Sequence, residues 1–71
     1  MEILIKKINI INLSRCFTRT IYNIESNVKL YKHQIYALLR SIDCGQDISF
    51  TEEEKEDKFV YIAHVDLDSS D

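Results

Sequence analysis

The sequence predicts an α+β fold, a small three-stranded antiparallel sheet backed by one long or two shorter helices. Three patterns carry this expectation. Residues 2–11 are dense in β-branched Ile, the apolar positions between residues 10 and 42 recur at gaps of three and four, and residues 59–67 read Phe-Val-Tyr-Ile-Ala-His-Val-Asp-Leu. An all-α arrangement, as a helical hairpin or a coiled-coil dimer, is the alternative, because Leu4, Ile8 and Ile11 also fall at helical spacing.

The first strand rests on Ile8 and Ile10 alternating against Lys7 and Asn9. The helical run follows through Ile10, Leu13, Phe17, Ile21, Ile24, Val28, Tyr31, Ile35, Leu38 and Ile42. In heptads, Ile21, Val28, Ile35 and Ile42 take one core position, and Ile24, Tyr31 and Leu38 the other. One helix over residues 13–43 would be about 46 Å long, more than a domain of this size needs. It would favour a homodimer sealed along Ile21, Ile24, Val28, Tyr31, Ile35, Leu38 and Ile42. The weak helix formers of residues 23–27 argue instead for a break, with Ser26 or Asn27 capping a second helix that runs to Cys44. Gly45 ends either version and is free to take a positive φ.

Beyond Gly45, Ile48-Ser49-Phe50 has a short strand alternation, and residues 59–67 supply the other arm of a hairpin across a charged loop at residues 51–58. Thr51 followed by Glu54 is a capping-box spacing that would start a helix instead. The five apolar residues that open 59–67 would coat such a helix all round, which favours the strand. Residues 68–71 read as a frayed acidic tail, and residues 1–71 as one small domain.

At 71 residues, with 45% hydrophobic content, one Gly and no Pro, the composition is that of a folded chain with a thin core. Heavy use of Ile, Lys and Asn fits an AT-rich genome such as that of a phage or other mobile element. Residues 1–45 carry a net +4 and residues 46–71 a net −7. Solvated charge is the plainer account, and an acidic patch for a basic partner the sharper one. Cys16 and Cys44 follow no secretory leader, and no apolar run approaches the length that spans a bilayer, so the expected setting is a reduced cytoplasm, away from membranes.

Catalytic and metal chemistry find little to work with. Cys16, His33, Cys44 and His64 stand in no CxxC, HxxxH or HExxH spacing, the acidic run lacks the ligand pattern of a calcium loop, and a chain this short can hardly enclose a nucleophile's pocket. No enzyme activity, metal or cofactor is expected. His64 and Asp66 share a strand face at i and i+2, which is more simply a polar edge than an acid–base pair.

The function expected is that of a non-catalytic protein-binding regulator or inhibitor. Two surfaces could serve it: an acidic one of Glu52, Glu53, Glu54, Glu56 and Asp57, and an outer helix face of Tyr22, Tyr36, Arg15, Arg19, Lys29 and Lys32. The two tyrosines could equally pack beneath the sheet. A small nucleic-acid-binding regulator working through Arg15, Arg19, Lys29 and Lys32 is the alternative, made less favourable by a pI near 5.3.

Overall fold

The described residues, 2–68 of a computed structural model, run β1 (Ile3–Asn12), β2 (Phe17–Ser26), α1 (Lys32–Ile42), β3 (Asp47–Glu54) and β4 (Phe59–Asp68). The strands form one antiparallel sheet in the order β1-β2-β4-β3. Two hairpins thus lie side by side, joined through α1, which covers one face.

This corrects the expected fold class. The sheet has four strands instead of three, a single helix of 11 residues replaces the long or paired helices, and the all-α alternative fails with them. The expected helix of residues 13–43 is a loop and strand β2 over its first half. In β2, Phe17, Thr18, Thr20, Ile21, Tyr22 and Ile24 are β-branched or aromatic, and that local preference prevails over the gaps of three and four. The strand is central, paired to β1 and β4, so apolar side chains stand on both its faces and its period of two is blurred. The charged stretch expected as a loop is largely strand: β3 continues through Glu54, and the turn is closed by the Lys55 N–H donating to Lys58 O at 2.8 Å. Strand β4 runs through Asp68, the first residue of the expected tail. Residues 69–71 lie outside the described residues.

Neither Ser26 nor Asn27 caps the helix. Ser26 Oγ accepts the Val28 N–H at 3.2 Å, and Asn27 Oδ1 accepts the Glu2 N–H at 3.0 Å, so both hold the turn out of β2. Helix α1 begins after Tyr31, whose N–H donates to Gln34 Oε1 at 2.8 Å. Its inner side sets Ile35 and Leu39 on Tyr22, Ile24, Tyr61, Ala63 and Val65, with Leu30 beside them.

Two tyrosine hydroxyls fasten the helix to the sheet, one at each end. Tyr61 Oη accepts the Leu30 N–H at 2.8 Å and donates to Leu30 O at 3.3 Å. Tyr22 Oη donates to Asp43 Oδ2 at 2.7 Å, while Asp43 Oδ1 accepts the Gly45 N–H at 2.8 Å. The Tyr61 hydroxyl thereby satisfies both backbone groups of Leu30 before the helix, and the Tyr22 hydroxyl holds the side chain of the residue that ends it.

Gly45 serves close approach and not backbone freedom, since no glycine here has a positive φ. A Cβ on it would overlap Val65 Cγ1 and lie 3.1 Å from Asp66 O. Val65 is itself buried, so Gly45→Ala should cost about 1–3 kcal/mol by overpacking. A urea melt that leaves the midpoint unchanged would show that the loop yields freely.

The helix covers only part of its face. Eleven helical residues reach about 16 Å, and ten strand residues about 33 Å. The molecule is correspondingly long, 43 × 18 × 15 Å, and the β1–β2 hairpin extends past the helix.

Candidate interaction surface

Strand β1 is an outer strand whose free edge is built by its register. The Asn27 N–H donates to Glu2 O, so Glu2 directs its backbone groups at β2. In an antiparallel ladder this direction alternates. Leu4 and Lys6 therefore also turn inward, while Ile3, Ile5 and Lys7 present their N–H and C=O groups outward. At Ile8 the register slips: Lys7 pairs with Tyr22, but Asn9 pairs with Ile21. This bulge leaves Ile8 without a partner and divides the edge.

Beside the lower segment lies a cleft of about 320 Å³, walled by Ile3, Leu30, Ala37 and Leu38 and rimmed by Gln34 and Ser41. It forms because α1 leans on the inner strands and stops short of β1. At the bottom of the size range of small-molecule pockets, and open along its length, it suits a few side chains of a passing strand better than an enclosed ligand. Leu4, Ile8, Ile10, Ile11 and Leu13 are 36–55% exposed, so most of the exposed large hydrophobic residues cluster on this strand and the loop after it. An exposed apolar outer strand is a ready template for another chain.

The helix-free face is different in kind. Directly opposed residues share a face, so the registers lay out rows of Leu4-Glu25-Val60-Glu53, Lys6-Asn23-Ile62-Thr51, Asn9-Ile21-His64-Ser49 and Ile11-Arg19-Asp66-Asp47. Polar and apolar groups are mixed along these rows, and Asn23 Oδ1 is buried with no hydrogen-bond partner. Arg19 grips Asp66 with two bonds, Nε–Oδ1 at 2.8 Å and Nη2–Oδ2 at 3.1 Å. These bonds hold the Asp66 carboxyl below its usual range, and His64 adds only a smaller pull. Lys58 Nζ meets Glu25 Oε1 at 2.7 Å and lowers that carboxyl likewise, with a weaker contribution from Lys6.

The residues expected to form the two binding surfaces are mostly dispersed. Tyr22 is 3% exposed on β2, away from any outer helix face. Tyr36 does lie on α1, packed edge-on against Phe50 at 5.9 Å, with Lys32 Nζ 5.6 Å from its ring centre. Arg15 sits in the β1–β2 loop, Arg19 on the helix-free face, Lys29 in the turn before α1 and Lys32 at its start, so the four bases share no one face. The acidic run is split by strand alternation: Glu52 and Glu54 take the helix side, Glu53 the other, where Lys55 reaches it at 2.8 Å, and Glu56 and Asp57 lie in the turn. The proposed dimer stripe also separates. Ile24 and Ile35 are in the core, Leu38 walls the cleft, Ile21 faces the helix-free side, and Val28, Tyr31 and Ile42 are exposed.

Cys16 and Cys44 are not joined in a disulfide, Cys44 is exposed, and His33 stacks on Tyr31 at 6.2 Å. Among the described residues no three or more His, Cys, Asp or Glu side chains converge as a metal site, and no helix is long and apolar enough to cross a membrane. Comparison with family models, curated proteins and solved structures gave no match. The β1 edge was missed as a site at the sequence level, although a signal was there. Ile8, Ile10 and Ile11 break strict alternation at the bulge, and alternation that slips inside an Ile-rich strand marks a change of register.

Proposed function

We propose that this chain is a non-catalytic regulator that binds another protein by adding an extended segment of that protein to the free edge of β1. The single observation that supports it best is the coincidence of outward backbone groups at Ile3, Ile5 and Lys7 with the apolar cleft beside α1. Main-chain bonds along an edge supply affinity, and a groove for alternate side chains supplies selectivity.

The test compares partner recovery by tagged wild-type chain, Ile5→Pro and Ala37→Glu, with folding checked by circular dichroism. Ile5→Pro removes an outward donor at a position where an outer strand tolerates proline. Ala37→Glu places a charge in the cleft from an exposed helix position. Recovery should fall at least about tenfold in both, since each loses an edge bond or buries an unpaired charge. A fourfold Glu→Gln variant at 52, 53, 54 and 56 should retain the partner. The reverse pattern would move the site to the acidic hairpin.

A further inference from the structure

Sheet order turns the uneven charge of the sequence into two oppositely charged edges. Strand β1 carries Lys6 and Lys7, and β3, at the far edge, carries Asp47, Glu52, Glu53 and Glu54. Ion pairs join Arg19 to Asp66, Lys55 to Glu53 and Lys58 to Glu25. Among the described residues neither Lys6 nor Lys7 is in an ion pair, although Lys6 lies near enough to Glu25 to lower that carboxyl slightly, and both stand at the upper end of the segment that borders the cleft.

The length of that segment is fixed at both ends. Below, Glu2 is engaged by Asn27 through both its N–H and its C=O. Above, the bulge at Ile8 breaks the spacing of outward groups. Five residues remain, 3–7, with Ile3, Ile5 and Lys7 on the cleft side and Leu4 and Lys6 on the helix-free side. A strand added here meets each of them with a directly opposed residue on the same face.

Resting on the function proposed above, we infer that the β1 edge selects, antiparallel to itself, a five-residue extended segment that reads two acidic residues followed by three apolar ones. The acidic pair lies opposite Lys7 and Lys6. The residues opposite Ile5 and Ile3 enter the cleft between Leu30, Ala37 and Leu38, and the one opposite Leu4 covers that half-exposed side chain. Antiparallel addition continues the pattern of the whole sheet and is the slightly more stable pairing.

A second copy of the chain fits this edge poorly. Two β1 strands paired about Ile5 would set each Lys7 opposite Ile3 and each Lys6 opposite Leu4 of the other copy, placing ammonium groups where the cleft and Leu4 call for apolar partners. A β3 strand from another copy has the charge but the wrong order: it reads apolar first, at Ile48 and Phe50, and acidic afterwards. Set antiparallel with Glu52 opposite Lys7, it would put Glu54 opposite Ile5 and Glu56 opposite Ile3, driving carboxylates into the apolar cleft.

The experiment pans a displayed library of random twelve-residue peptides against the full chain, then titrates the selected peptides into isotope-labelled protein while backbone amide shifts are followed. The expected result is a selected core of two acidic residues before three apolar ones. Shifts should centre on Ile3, Ile5, Lys7 and Ala37, and affinity should fall roughly tenfold in Lys6→Glu/Lys7→Glu at low salt and less at high salt. Peptides that shift the same amides without an acidic pair, or that bind the charge-reversed chain equally well, would overturn this inference and leave edge binding standing. Selection of no peptide, shifts confined to another surface, or concentration-dependent self-association at the β1 edge instead of peptide binding would overturn both.

Discussion

Tyr61→Ala is expected to leave the chain largely unfolded at 25 °C, whereas Tyr61→Phe should fold with a lower melting temperature. The Tyr61 ring is wholly buried at the centre of the sheet and packs edge-on to Phe50 at 6.2 Å. Truncating a buried aromatic costs about 3–5 kcal/mol. Its hydroxyl also serves both the N–H and the C=O of buried Leu30, and an orphaned buried group costs about 1–3 kcal/mol. The whole stability of a domain this size is only about 4–10 kcal/mol, so Tyr61→Ala consumes most of it. Tyr61→Phe keeps the ring and loses only the tie, for about 1–3 kcal/mol, and each kcal/mol moves the midpoint by about 4–8 °C. Thermal melts followed by circular dichroism separate the two. A cooperative Tyr61→Ala transition near that of the natural chain would mean that α1 is held chiefly by Ile35 and Leu39. If the tie carries the weight assigned to it, the Leu30 wall of the cleft loosens in Tyr61→Phe, and edge binding should weaken beyond the loss of stability.

How much of this was readable in advance depends on which strands face solvent on one side. Strands at residues 2–11, 48–50 and 59–67 were expected from β-branched and aromatic content, and the structure has strands there, each longer than or shifted from the sequence boundary. Strand β2 was not legible. Phe17, Ile21 and Ile24 keep helical spacing only because they come from both faces of a central strand, where apolar residues are tolerated on either side. Thr18, Thr20 and Ile21 are a better guide to this strand than the gaps of three and four. Strand β3 was cut short because Glu52, Glu53 and Glu54 are poor strand formers, but an edge strand can carry charge that a central one cannot. The candidate site was hidden for a related reason. Which strand lies at the edge follows from the order β1-β2-β4-β3, and strand order has no local signature. The charge asymmetry was visible in the sequence, but its separation onto opposite edges follows only from that order.

Alkali should destabilise the fold across the window from about pH 10 to 12, and Tyr22→Phe should remove a defined part of that loss. The Tyr22 hydroxyl is pushed up to about 12, first by burial and then by donating its hydrogen bond to the Asp43 carboxylate. An unfolded tyrosine titrates near 10. Below pH 10 both states hold the proton, and the tie contributes in full. Between 10 and 12 the unfolded chain releases a proton that the folded chain keeps, so stability falls as pH rises. Two pH units correspond to roughly 2–3 kcal/mol. The Lys58 ammonium, raised by its bond to Glu25, loses its contribution in the same alkaline range, and Tyr61 is raised as well. Both effects are common to the natural chain and to Tyr22→Phe, so the difference between the two isolates Tyr22. At neutral pH the variant should be less stable by about 1.5–3 kcal/mol, the usual worth of a hydrogen bond to a charged group. Towards pH 12 the two stability curves should converge as ionisation, opposed by burial and by the Asp43 carboxylate, removes the advantage of the natural chain. Urea midpoints taken at intervals of pH, with tyrosinate absorbance followed in parallel, measure this directly. Parallel curves over the whole range would mean that the Tyr22 hydroxyl reaches solvent before it ionises, and that the C-terminal end of α1 is held by Leu39 and the Gly45 contact instead.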